Sequence, residues 1–301
     1  MLKRSRLALA MSVAATALCA CGGAAGSPAA APDTAAPSTA VQDKKRQFEA
    51  AKADCMKQKG FTYVPYVKPE KQESDQERKL ASGDYEAMRT YREKYGFGVF
   101  ALHVYPKELN APEHMGGEPV QDPNIKIAGA LSPSQGEAYQ EARDACVAVA
   151  GKQALGLTLK SGMDYYGQIA QAHKRAKAAE LDGDQELVSL AGSMATCLKG
   201  KGYAVSDTKP TAMDRRGELT FLDQQSKLGR EQQGDQPGGP KMTKDTKQIQ
   251  MPTLTPEQAR PYLTKEIKAA LDDLECGKDF YAAYLPKETV LQRQVNDRFA
   301  F

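Results

Sequence analysis

The chain has no tryptophan, and its 301 residues include only three histidines, His103, His114 and His173. It also lacks the close cysteine pairs that redox or zinc chemistry uses: the nearest two cysteines of the region after residue 41 are Cys146 and Cys197. No GxSxG elbow, HExxH helix, phosphate-cradling loop or dinucleotide fingerprint occurs. One SxxK, Ser206 to Lys209, follows an expected strand and runs into Pro210 without an accompanying KTG, so it reads as a loop match. His114 beside Met115, with His103 upstream, is too small a ligand set for copper, and His173 among Lys174, Arg175 and Lys177 reads as a charged exposed face. These absences give an expectation of no metal, no cofactor and no catalytic residues.

Long hydrophobic runs are absent too. The longest lies in residues 7–18, after the cationic start of Lys3, Arg4 and Arg6. At about 12 residues it is too short to span a bilayer, which takes roughly 20, and fits a secretion signal over residues 1–20. The stretch LCACGG that follows presents Cys21 behind small residues, the pattern of a bacterial lipobox, with Cys19 as the rival acceptor behind bulky Leu18. The alternative is an ordinary secretory signal cleaved nearby. With lipidation at Cys21, two or more acyl chains hold the protein at a membrane, and residues 22–41, almost wholly Ala, Gly, Pro, Ser and Thr, form a disordered tether.

Removing the leader also removes the charge excess. The whole chain has 41 basic and 38 acidic residues, and loss of Lys3, Arg4 and Arg6 leaves equal numbers. Nucleic acid is therefore not an expected partner.

What is present is repetition. CMKQKGF at residues 55–61 returns as CLKGKGY at 197–203, and LSPSQGEAY at 131–139 returns as LTPEQARPY at 254–262. In each copy a helix ends on lysine and a left-handed glycine, Gly60 or Gly202, and an aromatic enters a short strand, FTYVPYV or YAVSD. Phe48, Ala51 and Cys55 share one helical face. Leu187, Leu190, Met194, Cys197 and Leu198 form another stripe, which Asp184 caps. Ser132 and Thr255 cap helices whose first residue is proline. Each of those helices leads to a further cysteine, Cys146 or Cys276. The fold class expected is α+β, predominantly helical, in two diverged disulfide-braced half-modules, 42–175 and 176–301, with a mobile loop at 225–252.

Four cysteines in an exported chain favour two disulfides, and spacing alone allows three connectivities. The repeat favours Cys55 with Cys146 and Cys197 with Cys276. Long loops closed in this way gain up to about 4 to 5 kcal/mol each in the chain-entropy model. The carboxylates of Asp272, Asp273 and Glu275 read as a solvated helix face, with Leu271 and Leu274 inward. The candidate binding residues are aromatic: Tyr63, Tyr66, Tyr91 and Tyr95, whose rings have a polar edge suited to a peptide or glycan.

These motifs resemble a family of uncharacterised lipoproteins of high-GC Gram-positive bacteria. The resemblance is carried by the lipobox, by Cys55, Met56, Gly60, Phe61 and Tyr63, by KYGFG at residues 94–98, and by DPN at 122–124. It extends to ATCLKGKGY and to the acidic helix ending at Cys276. It implies a place on the outer face of the cytoplasmic membrane and no established activity. The expected role is a lipid-anchored, non-enzymatic envelope protein that binds an envelope protein, peptide or glycan. A cell-envelope hydrolase of unfamiliar type and a purely structural or stress-related lipoprotein are the alternatives.

Overall fold

The computed structural model describes residues 39–69, 72–109, 122–233 and 251–301. The leader, Cys21, most of the expected tether, His114 and residues 234–250 of the expected loop lie outside them. Among the described residues twelve α-helices run in the order α1 (Thr39–Gln58), α2 (Asp75–Ala81), α3 (Tyr85–Tyr95), α4 (Ala101–Val104), α5 (Pro106–Leu109) and α6 (Pro123–Gly129). These are followed by α7 (Pro133–Ala150), α8 (Gly162–Glu180), α9 (Gln185–Gly200), α10 (Pro210–Gln233), α11 (Pro256–Cys276) and α12 (Lys278–Phe299). A π-helical turn, Gly151–Leu155, joins α7 to the loop before α8.

Local chemistry accounts for the helix ends. Ser132 and Thr255 accept from the third-residue amides of α7 and α11, and Gln135 and Gln258 reach back to the cap amides, closing two capping boxes. The Asp184 carboxylate accepts from the amides of Glu186 and Leu187 at the start of α9. The repeated corner is one geometry used twice. Gly60 and Gly202 have φ of 82° and 87°. The Phe61 and Tyr203 amides donate back to the carbonyls of Met56 and Leu198 at 3.0 and 2.9 Å. That is the Schellman helix stop, which needs a residue free to adopt positive φ.

The chain after each corner corrects the expected α+β class, because the described residues contain no strand. FTYVPYV has no regular structure, and what pairs with it is a side chain. The Asn124 amide accepts from the Val64 N–H at 2.9 Å and donates to the Val64 carbonyl at 2.8 Å, doing for one residue what a neighbouring strand would do. The DPN motif places it there, since the Asp122 carboxylate accepts from both the Asn124 backbone and its side chain. Two further corrections concern boundaries. Thr39 to Val41 belong to α1, with Val41 buried, rather than to the tether. Residues 225–233 are helical, in α10, and Gln225 and Ser226 are buried rather than part of a loop.

Disulfides join Cys55 to Cys146, tying α1 to α7, and Cys197 to Cys276, tying α9 to α11. Disulfides persist in oxidising, extracytoplasmic compartments. No helix among the described residues is long and apolar enough to cross a membrane. Packing crosses the chain midpoint, and residues 175 and 176 are consecutive residues of α8. Helix α11 lies on α3, α4 and α9, and α12 lies on α8 and α9. One core gathers Met88 with Leu187, Met194, Leu198, Leu274 and Tyr284, and another gathers Phe48 and Val147 with Val295 and Phe299. Fully buried leucines and methionines of this kind contribute about 2 kcal/mol each.

Candidate functional site

Helix α11 carries the centre of the molecule. Ala259, Leu263, Glu266, Ala270 and Asp273 fall at alternating steps of four and three, with Leu274 beside the last, and all are buried. Two positions of that inward stripe are acids. Asp273 is therefore a correction: it is fully buried, not on a solvated face, while Asp272 beside it pairs with Lys268 and Lys201 nearer the surface.

Three donors converge on Asp273. Arg92 of α3 donates to Oδ1 at 2.8 Å, the Tyr281 hydroxyl of α12 donates to the same oxygen at 2.6 Å, and Arg216 of α10 donates to Oδ2 at 2.9 Å. Arg92 also donates to the Ala270 carbonyl, and its guanidinium lies 4.7 Å from the Tyr281 ring centroid and 5.3 Å from that of Phe97. Burial and the Asp273 charge hold the Tyr281 hydroxyl protonated. Four helices thus meet on one carboxylate.

Glu266, two helical turns back, is held by backbone. Its carboxylate accepts from the amides of Phe97, Val99 and Phe100, each at 2.8 Å. The KYGFG segment makes this possible. Gly96 and Gly98 take φ of 60° and 93°, curling successive amides inward as an anion-binding concavity, and a Cβ on Gly96 would stand 2.8 Å from the Glu266 Cγ. Burial raises the Glu266 pKa, and the surrounding amides oppose the rise.

Beyond the arginines lies a second acidic group. Asp214 of α10 is half-buried, and burial, reinforced by the nearby charge of Glu288, pushes its carboxyl up to about 7. Glu288 itself pairs with Lys177 of α8 and accepts from the Tyr284 hydroxyl. His173 is half-buried and bonded to Asn296 at 2.9 Å, so it and Lys177 leave the exposed face expected of them, while Lys174 and Arg175 remain exposed. His103 sits against Gln225, and burial lowers its pKa. Among the described residues no cluster of His, Cys, Asp or Glu is placed to hold a metal ion.

The candidate tyrosines fall in two places. Tyr63 donates to Glu49 at 2.8 Å with Lys52 over its ring, and the Tyr66 amide points to the same carboxylate, beside the Cys55–Cys146 corner. Tyr91 and Tyr95 lie on α3 with ring centroids 5.0 Å apart, and the Tyr95 hydroxyl donates to Glu108. Among the described residues no ring contact joins the two pairs. Sequence reading missed Arg92, Asp214, Arg216, Glu266 and Glu288. The signal for Glu266 and Asp273 was present in the stripe spacing of α11. No protein-family model, curated protein or solved structure matches the chain.

Proposed function

We propose that this is an extracytoplasmic protein, lipid-anchored through Cys21 to the outer face of the cytoplasmic membrane of a Gram-positive envelope. Its role in this reading is non-enzymatic: a rigid helical module that engages an envelope protein, peptide or glycan. The observation that carries the reading is the pair of disulfides, each bracing one repeated corner to a later helix in a chain that opens with a lipobox. A supporting observation is how the buried charges are used. Asp273 is taken up by Arg92, Arg216 and Tyr281, and Glu266 by three amides, an arrangement that fixes helices against each other.

The anchoring is tested by intact mass of the membrane-extracted protein. A chain beginning at acylated Cys21, lost in Cys21→Ser, is the expected result, and an unmodified mature chain overturns it. Binding is tested by cross-linking in intact envelopes with identification of the captured protein or cell-wall fragment. Turnover of a cell-wall substrate by the purified protein would replace the binding reading with the hydrolase one.

A further inference from the structure

Three exposed apolar side chains stand together at the start of α8. Met163 is 80% exposed, Tyr166 57% and Phe301 52%. Met163 and Tyr166 are three residues apart on one helix and so share a face. Phe301 arrives from α12. Ala300, the one non-glycine residue with positive φ among those described, takes φ of 51°, and the amides of Ala300 and Phe301 bond back to the carbonyls of Asp297 and Asn296. That turn sets the Phe301 ring edge-on to Tyr166 at 5.9 Å. The support beneath is rigid: Tyr165 is buried, donates its hydroxyl to the Phe299 carbonyl at 2.5 Å and stacks on Phe48 at 5.6 Å.

The position of this patch relative to the start of the described chain decides what it faces. Helix α1 packs on α7 and on the π-helical turn. Cys55 is bonded to Cys146, and Phe48 packs in one cluster with Val147 and Ala150, so α1 and α7 run antiparallel and the first turns of α1 lie beside the π-helical turn. Thr39 is nine residues, about 13 Å along the helix, from Phe48, whose ring stacks on the neighbour of Tyr166. The chain leading to Cys21 therefore enters at the same end of the fold as the patch. Seventeen residues lie between Cys21 and Thr39, a contour of up to about 60 Å, so a chain held at Cys21 can bring that end to the bilayer.

We infer that Met163, Tyr166 and Phe301 form a membrane-contact surface that dips into the headgroup boundary of the bilayer. The inference rests on the proposed anchoring at Cys21 for its biological setting. Its chemistry suits that boundary: tyrosine and phenylalanine with a flexible methionine occupy the interface, where a ring can be apolar on its face and polar at its edge. Lys160 and Arg298, each three residues from the patch in sequence, are both exposed and supply positive charge toward anionic headgroups, while Asp164 is turned to the Lys160 amide and to Gln168.

The absence of tryptophan makes the test direct. The chain from residue 21 onward, with a hexahistidine ahead of it, is held on phosphatidylcholine vesicles containing phosphatidylglycerol, a nickel-chelating lipid and brominated acyl chains. Tyr166→Trp is the probe and Leu219→Trp, at an exposed position of α10, the control. The expected result is a blue-shifted probe emission, quenched by the brominated chains about threefold more than the control, as for a ring placed at the acyl boundary. Equal quenching, or none, overturns the inference. So does a blue shift without vesicles that grows with protein concentration, which would make the patch a contact between copies. Because the chelator holds the chain whether or not Cys21 is acylated, failure here is separable from failure of the anchoring, which the mass measurement reads.

Discussion

Arg92 and Asp273 are 181 residues apart in the chain and 2.8 Å apart in space, both buried, with Arg216 closing on the other carboxylate oxygen. One acid thereby fixes α3, α10 and α11 against each other, and Tyr281 adds α12. Removing the acid leaves two guanidinium groups without their counter-ion. Asp273→Leu is expected to cost about 3 to 5 kcal/mol in denaturant unfolding. The triple change Arg92→Met, Arg216→Met, Asp273→Leu is expected to recover most of that loss, and a triple variant no better than the single one would contradict the account.

Glu266 offers a second measurement. Glu266→Gln keeps the shape but replaces one acceptor oxygen with a carboxamide NH2, which faces a backbone N–H donor. A loss of about 2 to 3 kcal/mol is expected. Hydrogen exchange at Phe97, Val99 and Phe100 is expected to quicken more than exchange in α7, and unchanged protection at those three amides would contradict the cradle.

The pH dependence of stability follows from Asp214. Unfolded, its carboxyl ionises near pH 4; folded, it does so at about 7. Between those values the folded chain holds a proton that the unfolded chain has lost, so this group's contribution falls as pH rises through the window and is level above it. Discounted for its partial exposure, the fall is on the order of 2 kcal/mol. Asp214→Asn is expected to remove the slope, making the variant more stable than the parent at pH 8 and little different at pH 4. Asp184 and Asp272, whose pKa values are lowered by Lys287 and Lys268 respectively, act in the opposite sense, losing their contribution as pH falls. They are common to both proteins, so the difference between variant and parent isolates Asp214.

The disulfides close loops whose ends are 91 and 79 residues apart in sequence. Replacing either pair with serine is expected to cost about 2 to 5 kcal/mol, read from non-reducing denaturant curves. The losses from the two pairs are expected to fall short of additive, because α3 and α8 share cores with the second half of the chain.

Much of the helical frame was legible because its signals are local. Ser132, Thr255 and Asp184 cap with side chains that reach two or three residues, and Gly60 and Gly202 end helices through their own φ. The expected strands fail for the opposite reason. The alternation in FTYVPYV states only that the backbone extends, while a strand needs a partner backbone, and at Val64 the partner is the Asn124 side chain, 60 residues away. Asp273 was misread because an acid beside another acid looks solvated, although its place in the four-three stripe of α11 already turned it inward.

The sequence by itself determined the even cysteine count, the capped helix starts and the two glycine corners, the last two set by interactions within a few residues. Only the tertiary structure decided which acids are buried, where the expected strand segments find hydrogen bonds, and that Phe301 and Tyr166 meet at the end where α1 begins. Burial of a charge is tolerable only where donors from distant segments converge on it, and that convergence is a property of the packed helices rather than of any window of the chain.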